Sequence, residues 1–278
     1  MPPGELPLNA PHPYFDSARP LLFAHRGGAG LWPENTLVAF EGALALGYRH
    51  IETDIHETRD GELVVFHDER VDRTTDGIGR VDAHTLAELK RLDAGYRFSL
   101  DGKRFPQRGR GSSIPTLQEA LDLDPGLRLN LEIKPHSDAV AEHLFRFLED
   151  RALSPRVLVA SADQATGDAF RRLARGRYAT SPGAGGIVRF WLAARSRTHR
   201  LMRFDFDALQ VPVRQHGLEV VTPGFVEAAH GHGIQVHVWT IDDAYEMRRL
   251  LALGVDGLMT DRPDVLARVV RPPNAPKP

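Results

Sequence analysis

The chain of 278 residues contains no cysteine. That excludes disulfides, thiolate nucleophiles and sulfur-ligated metals, and leaves carboxylates and imidazoles as the available ligands. Long hydrophobic runs are also missing. No apolar stretch approaches the ~18 residues that a membrane span requires. The opening "MPPGELPLNAPHPYF" lacks the basic and apolar regions of a signal peptide, so the default expectation is a cytoplasmic protein. Nor does one sign of charge dominate. Lys and Arg number 35 against 37 Asp and Glu, a formal net of −2, so nothing draws the molecule as a whole to nucleic acid. What is there, 42% apolar and 26% charged residues, suffices for a sizeable globular core.

The proline-rich ends, 1–20 and 271–278, read as tails, because proline and polar residues cannot continue a packed element. Between them, 21–270 reads as one domain in which short apolar strands alternate with helical periods. The strands are "LLFAH" (21–25), "HIETDI" (50–55), "RLNLEIK" (128–134), "VLVAS" (157–161), "RYATS" (177–181), "ALQVPV" (208–213), "IQVHVWT" (234–240) and "DGLMTD" (256–261). Eight strands alternating with helices predict an α/β fold, a (β/α)₈ TIM barrel. "LVVFHD" (63–68) follows Asp60-Gly61, a turn signal, too closely to be a parallel strand, so it predicts a hairpin above the barrel mouth. Residues 69 to about 115 then form a small inserted segment after strand two, with one helix at "AHTLAELKRL".

The stretch "HRGGAGLWPENT" (25–36) invites a nucleotide-binding reading. It fails: the glycine pattern ends in Pro33 where a dinucleotide fingerprint needs glycine or alanine, and no Gly-Lys-Ser/Thr follows. The glycines read as a tight turn into a helix capped near Asn35 or Thr36.

The acids carry more information. Glu52 and Asp54 are two apart on a strand and share a face, with Ile51, Thr53 and Ile55 on the other. Glu132 and Lys134 repeat the design in "NLEIK". Three carboxylates from two strands at a barrel mouth suit one hard divalent cation, Mg²⁺ or Ca²⁺. The structural alternative is a buried salt-bridge network in which Lys134 neutralises one acid and Arg26 another. Two of the 13 histidines, His25 and His67, end strands at the same rim as the acids and are candidates for proton transfer. His50, His56, His84, His136, His143, His199, His216, His230 and His232 read as structural or surface residues, and "AHGHG" falls at the opposite rim. Acids for a cation, two histidines, and Arg26 with Lys134 as fixed positive charges describe a phosphodiester site.

With these residues in view, "AHRGGAGLWPENTLVAF", "GYRHIETDI", "TRDGELVVFHD", "TTDGIGRV", "IPTLQEAL", "LNLEIK", "VHVWTI" and "GVDGLMTDRP" resemble the glycerophosphodiester phosphodiesterase family, in order from about residue 21 to 264. The resemblance implies a distorted barrel, a divalent cation, and hydrolysis of glycerophosphodiesters to glycerol 3-phosphate and an alcohol. It implies His25 and His67 as the acid–base pair, Glu52, Asp54 and Glu132 as metal ligands, Arg26 and Lys134 as phosphate contacts, and Trp239 as a wall of the substrate pocket. It allows attack by the substrate's own glycerol hydroxyl or by water. Two segments bear on substrate. The basic stretch 92–115 resembles one found in lysophospholipases D as well as in ordinary bacterial members. The segment 185–204 mixes apolar residues with five arginines, which reads either as an ordinary barrel helix or as a surface for anionic membranes. A lysophospholipid substrate at a membrane is thus the alternative to a water-soluble diester. A non-catalytic phosphate binder is the competing class, and the full set of acids, histidines and lysine argues against it.

Overall fold

The computed structural model describes residues 12–270. Strand β1 (Leu21–His25) leads to α1 (Leu37–Ala45), β2 (His50–Glu57), β3 (Leu63–Val65), α2 (Leu86–Leu89) and α3 (Leu117–Asp122). Then come β4 (Arg128–Ile133), α4 (Asp138–Glu149), β5 (Val157–Ala160), α5 (Gln164–Ala174), β6 (Ala179–Thr180) and α6 (Ala184–Arg195). The remainder is β7 (Ala208–Pro212), the small antiparallel pair β8 (Arg214–Gln215) and β9 (Leu218–Glu219), α7 (Pro223–His230), β10 (Gln235–Trp239), α8 (Ala244–Leu253), β11 (Gly257–Thr260) and α9 (Pro263–Val270).

Eight of these strands pair in parallel in the order β6-β5-β4-β2-β1-β11-β10-β7. The two ends of this path meet at one point, where Asp207 N donates to the Thr180 carbonyl at 2.9 Å. The Asp207 carboxylate also accepts the Thr180 N–H at 2.8 Å. A side chain thus takes a rung that a backbone carbonyl would fill, so "RYATS" yields a strand of only two residues. The result is a nearly closed (β/α)₈ barrel whose distortion includes this seam. The hairpin is present as predicted, with β3 antiparallel to the end of β2 in the register Ile55↔Val65, His56↔Val64 and Glu57↔Leu63.

Alternation along the strands sorts side chains between two layers. Ile51, Ile55, Leu129, Leu131 and Ile133 face outward into one apolar layer with Phe40, Leu144 and Phe170 of the helices. Inward-facing Leu21, Phe23, Leu158, Ala208 and Met259 fill the end of the barrel away from the mouth.

Two expectations need correction. The N-terminal tail does not extend to residue 20, because Tyr14 and Phe15 are buried inside that end of the barrel among the residues just named. The barrel floor already holds the rings of Phe23, His50 and His237, and Tyr14 and Phe15 pack onto them, Tyr14 edge-on to His50 at 5.5 Å and Phe15 against His237 at 6.0 Å. Residues 1–11 and the other expected tail, 271–278, lie outside the described residues. The inserted segment also carries less helix than expected. Only Leu86–Leu89 is α-helical, opened by a Thr85–Glu88 capping box; two single 3₁₀ turns, Val71–Arg73 and Val81–Ala83, and the remaining chain wrap a small core of Val64, Phe66, Val71, Val81, Leu89 and Ile114. Among the described residues no helix is long and apolar enough to cross a membrane.

Two tests follow from the barrel floor. Tyr14→Ala should cost about 3–5 kcal/mol of stability, read from denaturant midpoints at unchanged m-value. His50 and His237 are pushed down by burial to about 4 and about 3. Unfolded histidine titrates near ~6.5, so between these values the unfolded chain binds more protons than the folded one. The stability from the neutral rings is complete above that unfolded value and is lost as pH falls toward the folded ones. His237→Leu should therefore lower the slope of stability against pH between about pH 6 and 4 by roughly one proton, measured by urea midpoints across that range.

Candidate active site

The C-terminal ends of β1, β2 and β4 adjoin, with His25 level with Glu52 and Asp54 level with Glu132 in the ladder. All of these side chains point inward at the mouth. Glu52 and Asp54 are 5% and 1% exposed, so their charges are nearly desolvated and must be met locally. Lys134 Nζ lies 3.0 Å from both Asp54 Oδ1 and Glu132 Oε2. Arg26 Nε is 3.5 Å from Asp54 Oδ2, and Asn35 Nδ2 donates to the same oxygen at 2.8 Å. Thr53, on the outer face, donates to Asn35 Oδ1 at 2.7 Å and fixes that amide. Burial pushes Asp54 up, but Lys134 and Arg26 outweigh it and hold the carboxyl below its usual range.

Glu52 fares differently. It receives the Arg26 backbone N–H at 3.2 Å, and its other neighbour is His25 Nε2 at 3.7 Å. Burial, and then the charge of Asp54, push its pKa up to about 7. The predicted salt-bridge network therefore exists around Asp54 and stops short of Glu52. Glu52, Asp54 and Glu132 each offer a ligand atom within 4.8 Å of the others, and no other such group occurs among the described residues. A buried oxygen cluster deficient in positive charge fits a hard divalent cation.

The two histidines are each oriented by a carboxylate. His25 Nδ1 donates to Asp261 Oδ1 at 2.7 Å, and His67 Nδ1 donates to Asp68 Oδ1 at 2.6 Å. Burial lowers the His25 pKa, but the Glu52 charge and the Asp261 hydrogen bond leave it raised overall. Asp68 is held in turn by Arg73 at 2.6 Å, and Arg73 reaches Glu34 at 2.7 Å, which also accepts from Arg26 at 2.9 Å. This chain of contacts connects the inserted segment to the first strand-to-helix turn.

That turn explains the glycines. Arg26 itself has φ 51°, and its N–H and C=O are fixed by Glu52 O at 2.8 Å and Asn35 N at 2.9 Å. Gly27 follows at φ 84°, and a Cβ there would lie 2.7 Å from Ala39 and Phe40 of α1. Thr36 is the N-cap, leaving Asn35 for Asp54.

Asp261, Glu34, Asn35, Asp68 and Arg73 were not among the predicted site residues. Asp261 had a usable signal, since it ends the last strand at the same rim. Arg73 had none: it sits on a single 3₁₀ turn, Val71–Arg73, too short to leave a periodic pattern that would aim it at the mouth. Trp239 ends β10 at the rim and is 41% exposed, so it is not a core packing residue. His230, by contrast, binds Asp256 at 2.8 Å before β11, on the far rim.

The sequence model described as the glycerophosphoryl diester phosphodiesterase family matches residues 25–265. The chain belongs to this family. A Mycobacterium tuberculosis protein named "Probable glycerophosphodiester phosphodiesterase 2" is 39% identical over 90% of this chain and 90% of its own. The glycerophosphodiester phosphodiesterase of Caldanaerobacter subterraneus subsp. tengcongensis is 35% identical over 90% and 98% of the two chains. The solved structure of an Oleispira antarctica phosphodiesterase in complex with its product sn-glycerol-3-phosphate superposes with a TM-score of 0.70 at 27% identity, covering 91% of this chain and 97% of that one.

The charge deficit has a direct consequence. Saturating Mg²⁺ or Ca²⁺ at 100 times its dissociation constant should stabilise the EDTA-treated protein by about 2.7 kcal/mol, read as a rise in melting temperature. In Glu52→Gln the cation-induced rise should disappear, while the metal-free protein melts at or above the parent temperature at pH 8 because a buried charge is gone. A metal-free variant melting well below the parent would refute the deficit.

Proposed function

We propose that this protein is a metal-dependent phosphodiesterase that hydrolyses glycerophosphodiesters to glycerol 3-phosphate and an alcohol, with His25 and His67 as its acid–base pair. The triad carries this reading: Glu52, Asp54 and Glu132 bring ligand oxygens within 4.8 Å of one another, and the buried Glu52 is met, among the described residues, only by the Arg26 backbone N–H and, at 3.7 Å, by His25. Family membership and the relatives' names support a glycerophosphodiester as the small-molecule substrate, and the product bound to the Oleispira antarctica enzyme supports the product. Glu52, Asp54 and Glu132 would hold one divalent cation, Mg²⁺ or Ca²⁺, which when bound supplies a Lewis acid to the non-bridging phosphate oxygens.

The chain's own residues do the rest. Arg26 and Lys134 are fixed positive charges beside the triad, held by carboxylates before substrate arrives, and they stabilise charge developing on the phosphoryl oxygens. Asp261 and Asp68 hold the Nδ1 protons of His25 and His67, which turns each Nε2 to the reacting groups. One imidazole accepts the proton of the attacking hydroxyl and the other donates to the leaving oxygen. Trp239, on the rim, borders the substrate's glycerol or head group. Residues 21–270, with Tyr14 and Phe15 packed into the barrel floor, act as one catalytic domain, with the inserted segment supplying Arg73 to the His67–Asp68 pair.

The test is release of glycerol 3-phosphate from glycerophosphocholine, with EDTA and with variants. His25→Ala and His67→Ala should each lower kcat by about 10²–10⁴-fold, and EDTA should abolish turnover until the cation is restored. Full activity in either histidine variant overturns the pair. Turnover of lysophosphatidylcholine in preference to glycerophosphocholine would move the substrate to lysophospholipids.

A further inference from the structure

Between Asp168 and Asp205 the chain carries nine arginines and no carboxylate, in a protein whose acids outnumber its bases. Elsewhere most arginines are paired. Here Arg189, Arg195, Arg197, Arg200 and Arg203 have no carboxylate within ion-pair distance among the described residues. Arg189 and Arg195 lie instead over the rings of Phe204 and Trp191, at 5.9 and 4.9 Å.

The same surface exposes aliphatic side chains. Val188 and Leu192 sit one turn apart on the outer face of α6, each 55% exposed, and Leu201 just beyond the helix is 91% exposed. Beside them, α5, α6 and the segment before β7 enclose a cleft of about 350 Å³. Arg171, Arg172, Arg189 and Arg203 line it with Asp168 and Asp205. Arg171 is 9% exposed and already engaged by Asp168 at 2.6 Å and Asp205 at 3.6 Å. The guanidinium groups of Arg189 and Arg203 remain for a ligand.

We infer that this flank is a docking surface for an anionic phospholipid bilayer, with the arginine-lined cleft receiving a lipid phosphate and Val188, Leu192 and Leu201 entering the interface. Guanidinium forks match phosphate oxygens, and the aliphatic residues between them favour a membrane over nucleic acid, whose surface offers them nothing. Because α6 starts at the mouth and runs back along the barrel, docking lays the molecule on its side. His25, Trp239 and the rest of the rim stay in water, so the enzyme works beside the membrane with its mouth uncovered.

The full chain is sedimented with vesicles of phosphatidylcholine alone and with about a third phosphatidylglycerol. Each arginine near such a surface contributes about fivefold to binding. Arg189→Gln with Arg203→Gln should therefore weaken binding to the anionic vesicles about tenfold or more, and 0.5 M salt should release the parent protein. Val188→Ser with Leu192→Ser should weaken it as well, while Arg146→Gln, on α4, should not. Melting temperatures verify folding, and hydrolysis of a water-soluble diester should be unchanged in every variant, so this test stands apart from the proposed activity. Equal affinity for neutral and anionic vesicles overturns the inference. So does binding that survives both double variants. Stabilisation by inorganic phosphate without vesicle binding would make the cleft a free-anion site. Binding to DNA that ignores the serine variants would make the flank a polyanion surface. Either result overturns the membrane.

Discussion

Two carboxylates on one face of one strand, almost without water, form the constraint to which the mouth of this barrel is built. Glu52 and Asp54 repel each other, and neither can be hydrated. The protein answers asymmetrically. Asp54 collects Lys134, Arg26 and the Asn35 amide, whereas Glu52 collects one backbone N–H and a distant imidazole. The environments therefore push the two pKa values apart, as happens where acids share a site but not a role. A fully compensated pair would be a structural salt bridge. The incomplete compensation is what makes this one a receptor for positive charge.

The same economy of carboxylates reappears one layer out. Asp261 and Asp68 each take the Nδ1–H of a histidine, fixing ring orientation and tautomer. Arg73 then joins Asp68 to Glu34, and Glu34 holds Arg26, the cation beside Asp54. Displacing any member of this series moves charge at the triad without touching it. The inserted segment thus has a reason to exist beyond covering the mouth: its own small apolar core anchors Arg73, and Arg73 closes the series.

Much of this was legible in the sequence because strand geometry is simple. A period of two puts Glu52 with Asp54, and Glu132 with Lys134, on inward faces, and alternation of strands with helices gives the barrel. The hairpin could be read from a turn signal and a short link. What escaped was whatever depends on irregular chain or on contacts remote in sequence. Arg73 approaches Glu34 through a stretch with no repeating pattern. Tyr14 and Phe15 lie in a proline-rich stretch that resembles a tail, and only the rings of the barrel floor explain their burial. Asp261 was visible as a strand end, but nothing local announces that it meets His25 some 236 residues away.

The barrel's irregularity is not spread evenly, and its distribution follows from the site. β2 and β4 share six paired positions, and β1 joins β2 and β11 on the other side. The triad and His25 stand on these laddered strands, where register fixes each side chain. The weak seam, where β6 has two residues and Asp207 substitutes for a rung, lies between the two ends of the strand order, on the opposite wall. A carboxylate cluster that must be held within fractions of an ångström needs continuous hydrogen bonding beneath it. Across the barrel no group of the triad depends on the register, so a side chain can replace a rung and the strand can shorten there. The arginine-rich flank grows from this looser wall. Its helix and the segment before β7 are bound to the sheet chiefly by apolar packing, which leaves their outer surface free to vary in charge without moving the carboxylates on the far side.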